Sequence, residues 1–265
     1  MTKLYFRTMI KLSLFTGAFC LGILFGYAQV EKIDTDRPDQ TESAVTVPKK
    51  WFQFELGMLR QKNDANSVSF EHPTLLSKYG ISKRVEFRLI TTVASEVEDI
   101  PNLPKQTESG LVPVEIGAKI ALWEEKKLLP KTSLIFHFGI PKFASKKFQA
   151  DKLAPNFRFT MQNSITSTMA IGYNLGAEWD GYNKEATWIY TFAPGFNLSE
   201  KWYAYIEAFG FISKPAEPEH SLDGGIAYYI NRDFKIDLSS GFGISKAAPD
   251  WYIAVGASFR FKAGK

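Results

Sequence analysis

From Trp51 to Phe261 apolar and polar residues alternate in segments of about 10–13 residues, separated by turn residues. Four segments show the pattern most plainly. Val112, Val114, Ile116, Ala118, Ile120 and Leu122 share one parity, with Glu115, Gly117 and Lys119 on the other. Met169, Ile171, Tyr173, Leu175, Ala177 and Trp179 oppose Thr168, Gly172, Asn174, Gly176 and Glu178. Phe234, Ile236, Leu238, Phe242 and Ile244 oppose Lys235, Asp237, Ser239, Gly241 and Gly243. Trp251, Ile253, Val255, Ala257, Phe259 and Phe261 oppose Tyr252, Ala254, Gly256, Ser258 and Arg260. A period of two is the signature of strands. Twelve are predicted: 51–61, 67–81, 85–95, 110–123, 131–141, 155–163, 167–179, 186–196, 202–212, 220–230, 234–245 and 250–261.

A water-soluble sandwich alternates too, with its apolar side chains inward. Three features point instead to a transmembrane barrel. The polar parity is rich in Gly, Ser, Thr and mixed charge, as a lumen would be. Tight links such as Ser82–Arg84 and Asn231–Asp233 fall on one side, and longer ones such as 96–109 and 142–154 on the other. The six tryptophans all fall at strand ends. Trp51, Trp123 and Trp202 map to the periplasmic side and Trp179, Trp188 and Trp251 to the outer side, predicting two aromatic girdles at headgroup level. The expected fold is all-β: an up-and-down antiparallel transmembrane β-barrel of about twelve strands.

The N-terminus reads as an export signal. Lys3, Arg7 and Lys11 precede the apolar run Leu12–Tyr27, and small residues lead to a cut between Ala28 and Gln29. Residues 1–28 are thus expected to be a cleaved signal peptide, 29–50 a periplasmic N-terminal segment, and 51–265 the barrel. Outer-membrane localisation follows, with membrane lipid and the barrel-assembly machinery as partners. Cys20 is the only cysteine and lies in the leader, so the mature chain forms no disulfide. Removing the leader leaves 29 basic and 28 acidic residues, and no basic stripe that would suit nucleic acid. No metal or cofactor motif is apparent.

With the apolar parity facing lipid, the lumen receives Glu55, Lys78, Glu86, Arg88, Glu115, Lys119, Arg158, Glu178, Lys235, Asp237 and Arg260. These charges either cross-link the wall or select a permeant, and their near-balance argues against strong ion selectivity. The segment 202–212 is ambiguous. Tyr203, Tyr205, Glu207, Phe209 and Phe211 share a parity, as do Ala204, Ile206 and Ala208. Placing Glu207 in the lumen would line it with an aromatic ladder of Tyr203, Tyr205 and Phe209, which would either conduct an apolar or aromatic solute or simply fill a narrow barrel. His72-Pro73 breaks the phase of the second strand and predicts a bulge, since proline donates no ladder hydrogen bond. Asp34, Asp36, Arg37 and Asp39, in a polar stretch without apolar period, belong either to an inert tail or to a plug whose charges pair with lumen groups.

The run Asp34-Thr35-Asp36-Arg37-Pro38-Asp39-Gln40-Thr41-Glu42-Ser43, with Val47-Pro48 and Trp51-Phe52-Gln53-Phe54-Glu55, has a family likeness. So do Lys78-Tyr79-Gly80-Ile81, Glu86-Phe87-Arg88-Leu89, Ile116-Gly117-Ala118-Lys119, Asp223-Gly224-Gly225 and Asp237. Together they resemble the outer-membrane transporter family of the phenol meta-degradation pathway, the MetA-pathway of phenol degradation type. The resemblance implies a porin-like barrel passing small, often aromatic, compounds. Passive passage of a small-molecule solute is therefore the expected function, without a cofactor. A lipid-acting hydrolase or acyltransferase is the competing class, with His137 or the His220–Ser221 pair as its candidates. A purely structural barrel is the third.

Overall fold

The computed structural model describes residues 31–264; the leader predicted over residues 1–28, and its cleavage before Gln29, lie outside them. Among the described residues, thirteen strands follow one another: β1 (Trp51–Lys62), β2 (Ser67–Gly80), β3 (Val85–Glu98), β4 (Gln106–Leu111), β5 (Val114–Trp123), β6 (Lys131–Ile140), β7 (Ala154–Ser164), β8 (Met169–Glu178), β9 (Thr187–Asn197), β10 (Trp202–Ser213), β11 (Glu219–Asn231), β12 (Phe234–Gly243) and β13 (Trp251–Lys262). Each pairs antiparallel with its sequence neighbour, except that β4 and β5 both pair with β3. β1 pairs with both β13 and β2, and β2 with β3, so the sheet closes on itself.

β4 and β5 occupy one barrel position. β5 lies against Val85–Ile90 and β4 against Val93–Glu98. The break falls at Val112-Pro113, where proline has no N–H for the ladder. The wall therefore has the twelve positions expected. The strand boundaries agree with those predicted to within two residues except at one link. Much of the predicted long link 96–109 is strand, because β3 and β4 continue their pairing past the barrel rim, joined also by a Ser95–Ser109 hydroxyl hydrogen bond of 2.6 Å. The register of β2 against β3 shifts between Glu71 and Thr74, around His72-Pro73.

The barrel is inside-out relative to a soluble protein. On β12, Lys235, Asp237 and Ser239 are buried, while Ile236, Leu238 and Phe242 face outward. On β13, Tyr252, Ala254, Ser258 and Arg260 are buried, and Ile253, Val255, Phe259 and Phe261 are exposed. The largest fully buried side chains include Arg88, Lys119, Gln53, Glu55 and Glu86. A continuous apolar exterior around a charged interior is stable only where the exterior meets lipid.

Trp51 and Trp202 open β1 and β10, and Trp123 closes β5, all at the end where β11 turns into β12. Trp251 opens β13, Trp188 is the second residue of β9 and Trp179 follows β8, at the opposite end. The first is called here the turn end and the second the loop end.

Candidate functional site

Residues 32–50 have no apolar periodicity and form neither helix nor strand, so their backbone groups need partners from elsewhere. They find them inside the barrel. The Ile33 N–H donates to the Arg232 carbonyl in the β11–β12 turn (2.8 Å). The chain then rises to the middle of the lumen at Gln40–Glu42, and returns to the same end, where the Lys50 N–H donates to the Gly80 carbonyl (2.7 Å).

Lumen side chains replace the missing ladder. Glu55 accepts from the Asp36 and Arg37 N–H groups (3.0 and 3.2 Å). Glu207 accepts from the Gln40 N–H (2.8 Å) and the Thr41 hydroxyl (2.6 Å). Glu86 accepts from the Val47 N–H (2.7 Å), and the Asn174 amide oxygen from the Glu42 N–H (2.7 Å). In the other direction, Lys235 donates to the Arg37 carbonyl (2.7 Å), Lys119 to that of Ser43 (2.9 Å) and Ser133 to that of Ala44 (2.7 Å). Hydrogen bonds to charged groups are stronger than neutral ones, at about 1.5–3 kcal/mol each.

A buried ionic cluster anchors the segment. Asp36 pairs with Lys78, with Arg88 (2.7 Å) and with Lys119 (2.9 Å). Arg88 also holds Glu42 (2.8 Å) and Glu86 (2.9 Å), and Lys78 holds Glu55. Burial opposes ionisation of Asp36, but Lys119, Lys78 and Arg88 outweigh it and hold its carboxyl well below the ordinary carboxylate range. Such a cluster is costly to assemble and costlier to break, because removing one member strands the others without water.

Arg37 docks differently. Its guanidinium donates to Asp237 (3.0 Å) while lying over Gly57 and Gly256, which are register partners on β1 and β13. A Cβ at either glycine would overlap the guanidinium. Of the other acids of the segment, Asp34 and Asp39 line a cavity at the turn end.

The remaining lumen residues form smaller groups. Glu115 accepts from Asn156 (2.8 Å), which also bonds His137 (3.1 Å), and His137 accepts from Arg88 Nε (2.9 Å). Glu178 stands opposite Asn156 in the β7–β8 register, and Arg158 donates to the Gln40 carbonyl (3.2 Å). Arg260 pairs with Asp233 (2.8 Å) at the turn end and stacks over Trp51. On β10, Tyr205, Glu207 and Phe209 are buried and Ile206 is 62% exposed. The aromatic parity therefore faces the lumen. Tyr205 lies beneath the segment, its hydroxyl donating to the Pro38 carbonyl (3.3 Å).

The segment divides the lumen into two cavities. One, of about 280 Å³, opens at the turn end and is lined by Asp34, Arg37, Asp39, Tyr203, Tyr229 and Lys235 among others. The second, of about 360 Å³, lies at the loop end beyond Gln40, against Leu59, Phe209, Phe211 and Tyr252. Gln53, Ser133, Asn174 and Thr191 bind or flank the segment without having been singled out as lumen-site residues from the sequence. Their signal was their polar character at lumen parity. Gly57 and Gly256 carried no signal beyond being glycines.

The fold is similar to that of an outer membrane channel from Pseudomonas putida F1, with a TM-score of 0.68 and 8% identity over 87% of this chain and 100% of that one. It is also similar to the KdgM porin (TM-score 0.51, 10% identity, 79% and 99% covered). A third similar structure is the transport unit of the autotransporter AIDA-I from Escherichia coli (TM-score 0.50, 8% identity, 88% and 93% covered). At these identities the likeness is one of fold. No curated protein matches the sequence. A family model does match, over residues 35–261, and so takes in both the barrel and nearly all of the inward-folded segment. The chain belongs to the family described as "Putative MetA-pathway of phenol degradation".

Proposed function

We propose that the protein is a passive outer-membrane channel for small, hydrophobic or aromatic solutes, in which residues 32–50 act as an inward-folded plug. The observation that carries this reading is the division of one polar lumen into two cavities by a segment held through side chains of the wall. A solute crosses when the segment shifts within, or partly leaves, this set of hydrogen bonds. The lumen ladder Tyr203, Tyr205 and Phe209 spans both cavities and offers aromatic surface on either side of the plug. The family description, with its reference to phenol degradation, supports the same class of cargo.

The apolar exterior supports membrane lipid as surroundings, and the short turns at one end support a periplasmic position for that end, since such barrels carry short periplasmic turns and longer outer loops. The signal peptide over residues 1–28, export and insertion by the barrel-assembly machinery complete the reading. The two histidine candidates for catalysis support a channel rather than a hydrolase. His137 is engaged by Arg88 and Asn156, and His220 by Tyr190 (2.8 Å). His220 and Ser221 are adjacent on a strand, so their side chains leave opposite faces.

The test is conductance of the purified, refolded barrel in planar bilayers, with and without small aromatic solutes. Stepwise conductance that an aromatic solute modulates is the expected result. A barrel that stays silent even after the segment is weakened by substitution at Asp36 would overturn the proposal.

A further inference from the structure

The charges of the lumen are nearly balanced in number but not in availability. Lys78, Arg88 and Lys119 are spent on Asp36, Glu42, Glu55 and Glu86. Lys235 and Arg158 donate to backbone carbonyls of the plug. Beyond the plug, the charged side chains lining the loop-end cavity are Glu71, Glu96 and Glu219, and no lysine or arginine lines it. A solute entering there meets only negative charge.

The same cavity has an aromatic wall. Phe209 and Tyr252 are buried against Ala254, with Leu59 and Phe211 packed beside them. Phe209 and Phe211 stand edge to face, with ring centroids 6.0 Å apart. A polar group points to a ligand. Ser221 is only 7% exposed and lines the cavity, yet its hydroxyl has no hydrogen-bond partner among the described residues. The hydroxyl is therefore left open to the cavity, where a bound molecule can supply its partner.

We propose that this cavity is a binding subsite for small aromatic molecules that are neutral or cationic, and that it rejects aromatic carboxylates. The ring lies against Phe209, Phe211 and Tyr252. Ser221 hydrogen-bonds a polar substituent of the ligand. Glu71, Glu96 and Glu219 repel an anion and attract a cation. The reading rests on the proposed channel function, since it names the chemistry that channel admits at its loop end. It requires no opening of the plug, so binding tests it separately from conduction.

The experiment is a saturation-transfer NMR titration of the folded, detergent-solubilised barrel with three probes at pH 7: phenol (neutral), benzylamine (a cation) and benzoate (an anion). Phenol and benzylamine should bind, and benzoate should bind at least about fivefold more weakly at low salt. Raising the salt to about 1 M should narrow that gap, because screening shortens the reach of the glutamates. Ser221→Ala should weaken phenol about three- to tenfold. The combined Glu71→Gln, Glu96→Gln and Glu219→Gln variant should raise benzoate to the level of phenol, with β-sheet circular dichroism confirming the fold. Equal binding of benzoate and phenol to the wild-type barrel at low salt overturns the proposal, as does phenol binding unchanged by Ser221→Ala and by Phe209→Ala. If binding follows this pattern but no conductance is seen, the subsite stands and the channel reading fails.

Discussion

The Arg37 guanidinium occupies the space that a side chain at Gly57 would fill. Gly57 pairs in register with Gly256, so two glycines on adjacent strands leave one flat recess for the plug arginine, with Asp237 at its edge. Gly57→Val should therefore displace Arg37 without disturbing the β1–β13 ladder, since valine suits a strand. The expected outcome is a barrel of unchanged sheet content with higher conductance. Single-channel recording checks it, and wild-type conductance would show that Arg37 contributes little to holding the plug.

Asp36→Asn removes the carboxylate shared by Lys78, Arg88 and Lys119. Breaking a buried ionic group by removing one partner costs about 3–5 kcal/mol. That cost should fall on plug docking, because the barrel ladder does not depend on Asp36. A cysteine introduced by Ala44→Cys reports on docking, as Ala44 is 1% exposed and residues 31–264 hold no cysteine, so that a protein without the proposed leader has no other thiol. It should resist a membrane-impermeant maleimide in the otherwise wild-type protein and react readily when Asp36→Asn is added.

Acid should release the plug, and only at low pH. The docked Asp36 carboxyl titrates below its free value of about 3.9, so its ionisation stabilises docking above that pH. The contribution is lost as pH falls through the docked value. Conductance measured from pH 7 downwards should not rise until about pH 4, because burial pushes the Asp39 carboxyl up to about 8 and acid down to that point tightens docking. Below it conductance should rise, a step that Asp36→Asn should abolish. A rise centred near neutral pH would place the control in another group.

The outward face of β10 offers a test of the membrane itself. Ile206 is 62% exposed and lies midway along its strand, next to the inward Glu207. Ile206→Arg places a cation on the lipid face and should destabilise the folded barrel by about 2–4 kcal/mol. Urea-induced unfolding in lipid vesicles measures the difference. Loss of stability is expected in lipid, whereas a tolerated arginine would argue that this face meets water.

The periodicity of single strands was legible because it depends only on which face each residue takes. Lys235, Asp237 and Ser239 against Ile236 and Leu238 define the inside of β12 without reference to any other strand. The tryptophans were legible at strand ends, where the girdle reading places the headgroups. Asp34, Asp36, Arg37 and Asp39 stood out as charges in a stretch with no period of its own. Other features were ambiguous for a definite reason. Both parities of β10 are apolar enough to face lipid, so pattern alone left Glu207 undecided until the plug supplied the N–H of Gln40 and the hydroxyl of Thr41 as its partners. The pairing of β3 with β4 beyond the rim was missed because Glu96–Ser109 mixes polar and turn residues and becomes strand only through its neighbour.

The sequence by itself determined a closed, lipid-facing barrel with a charged lumen, because strand parity, turn spacing and girdle positions are local properties of the chain. Only the tertiary structure decided which lumen charges meet the plug and which stay open to a solute. Arg37 and Asp237 are 200 residues apart, and Asp36 and Lys119 are 83 apart. Their meeting depends on the register of every strand between them and on the closure of the ring. A count of acids and bases along the chain is balanced, but a fold that spends its cations on one buried segment leaves a loop-end cavity whose charged lining is acidic.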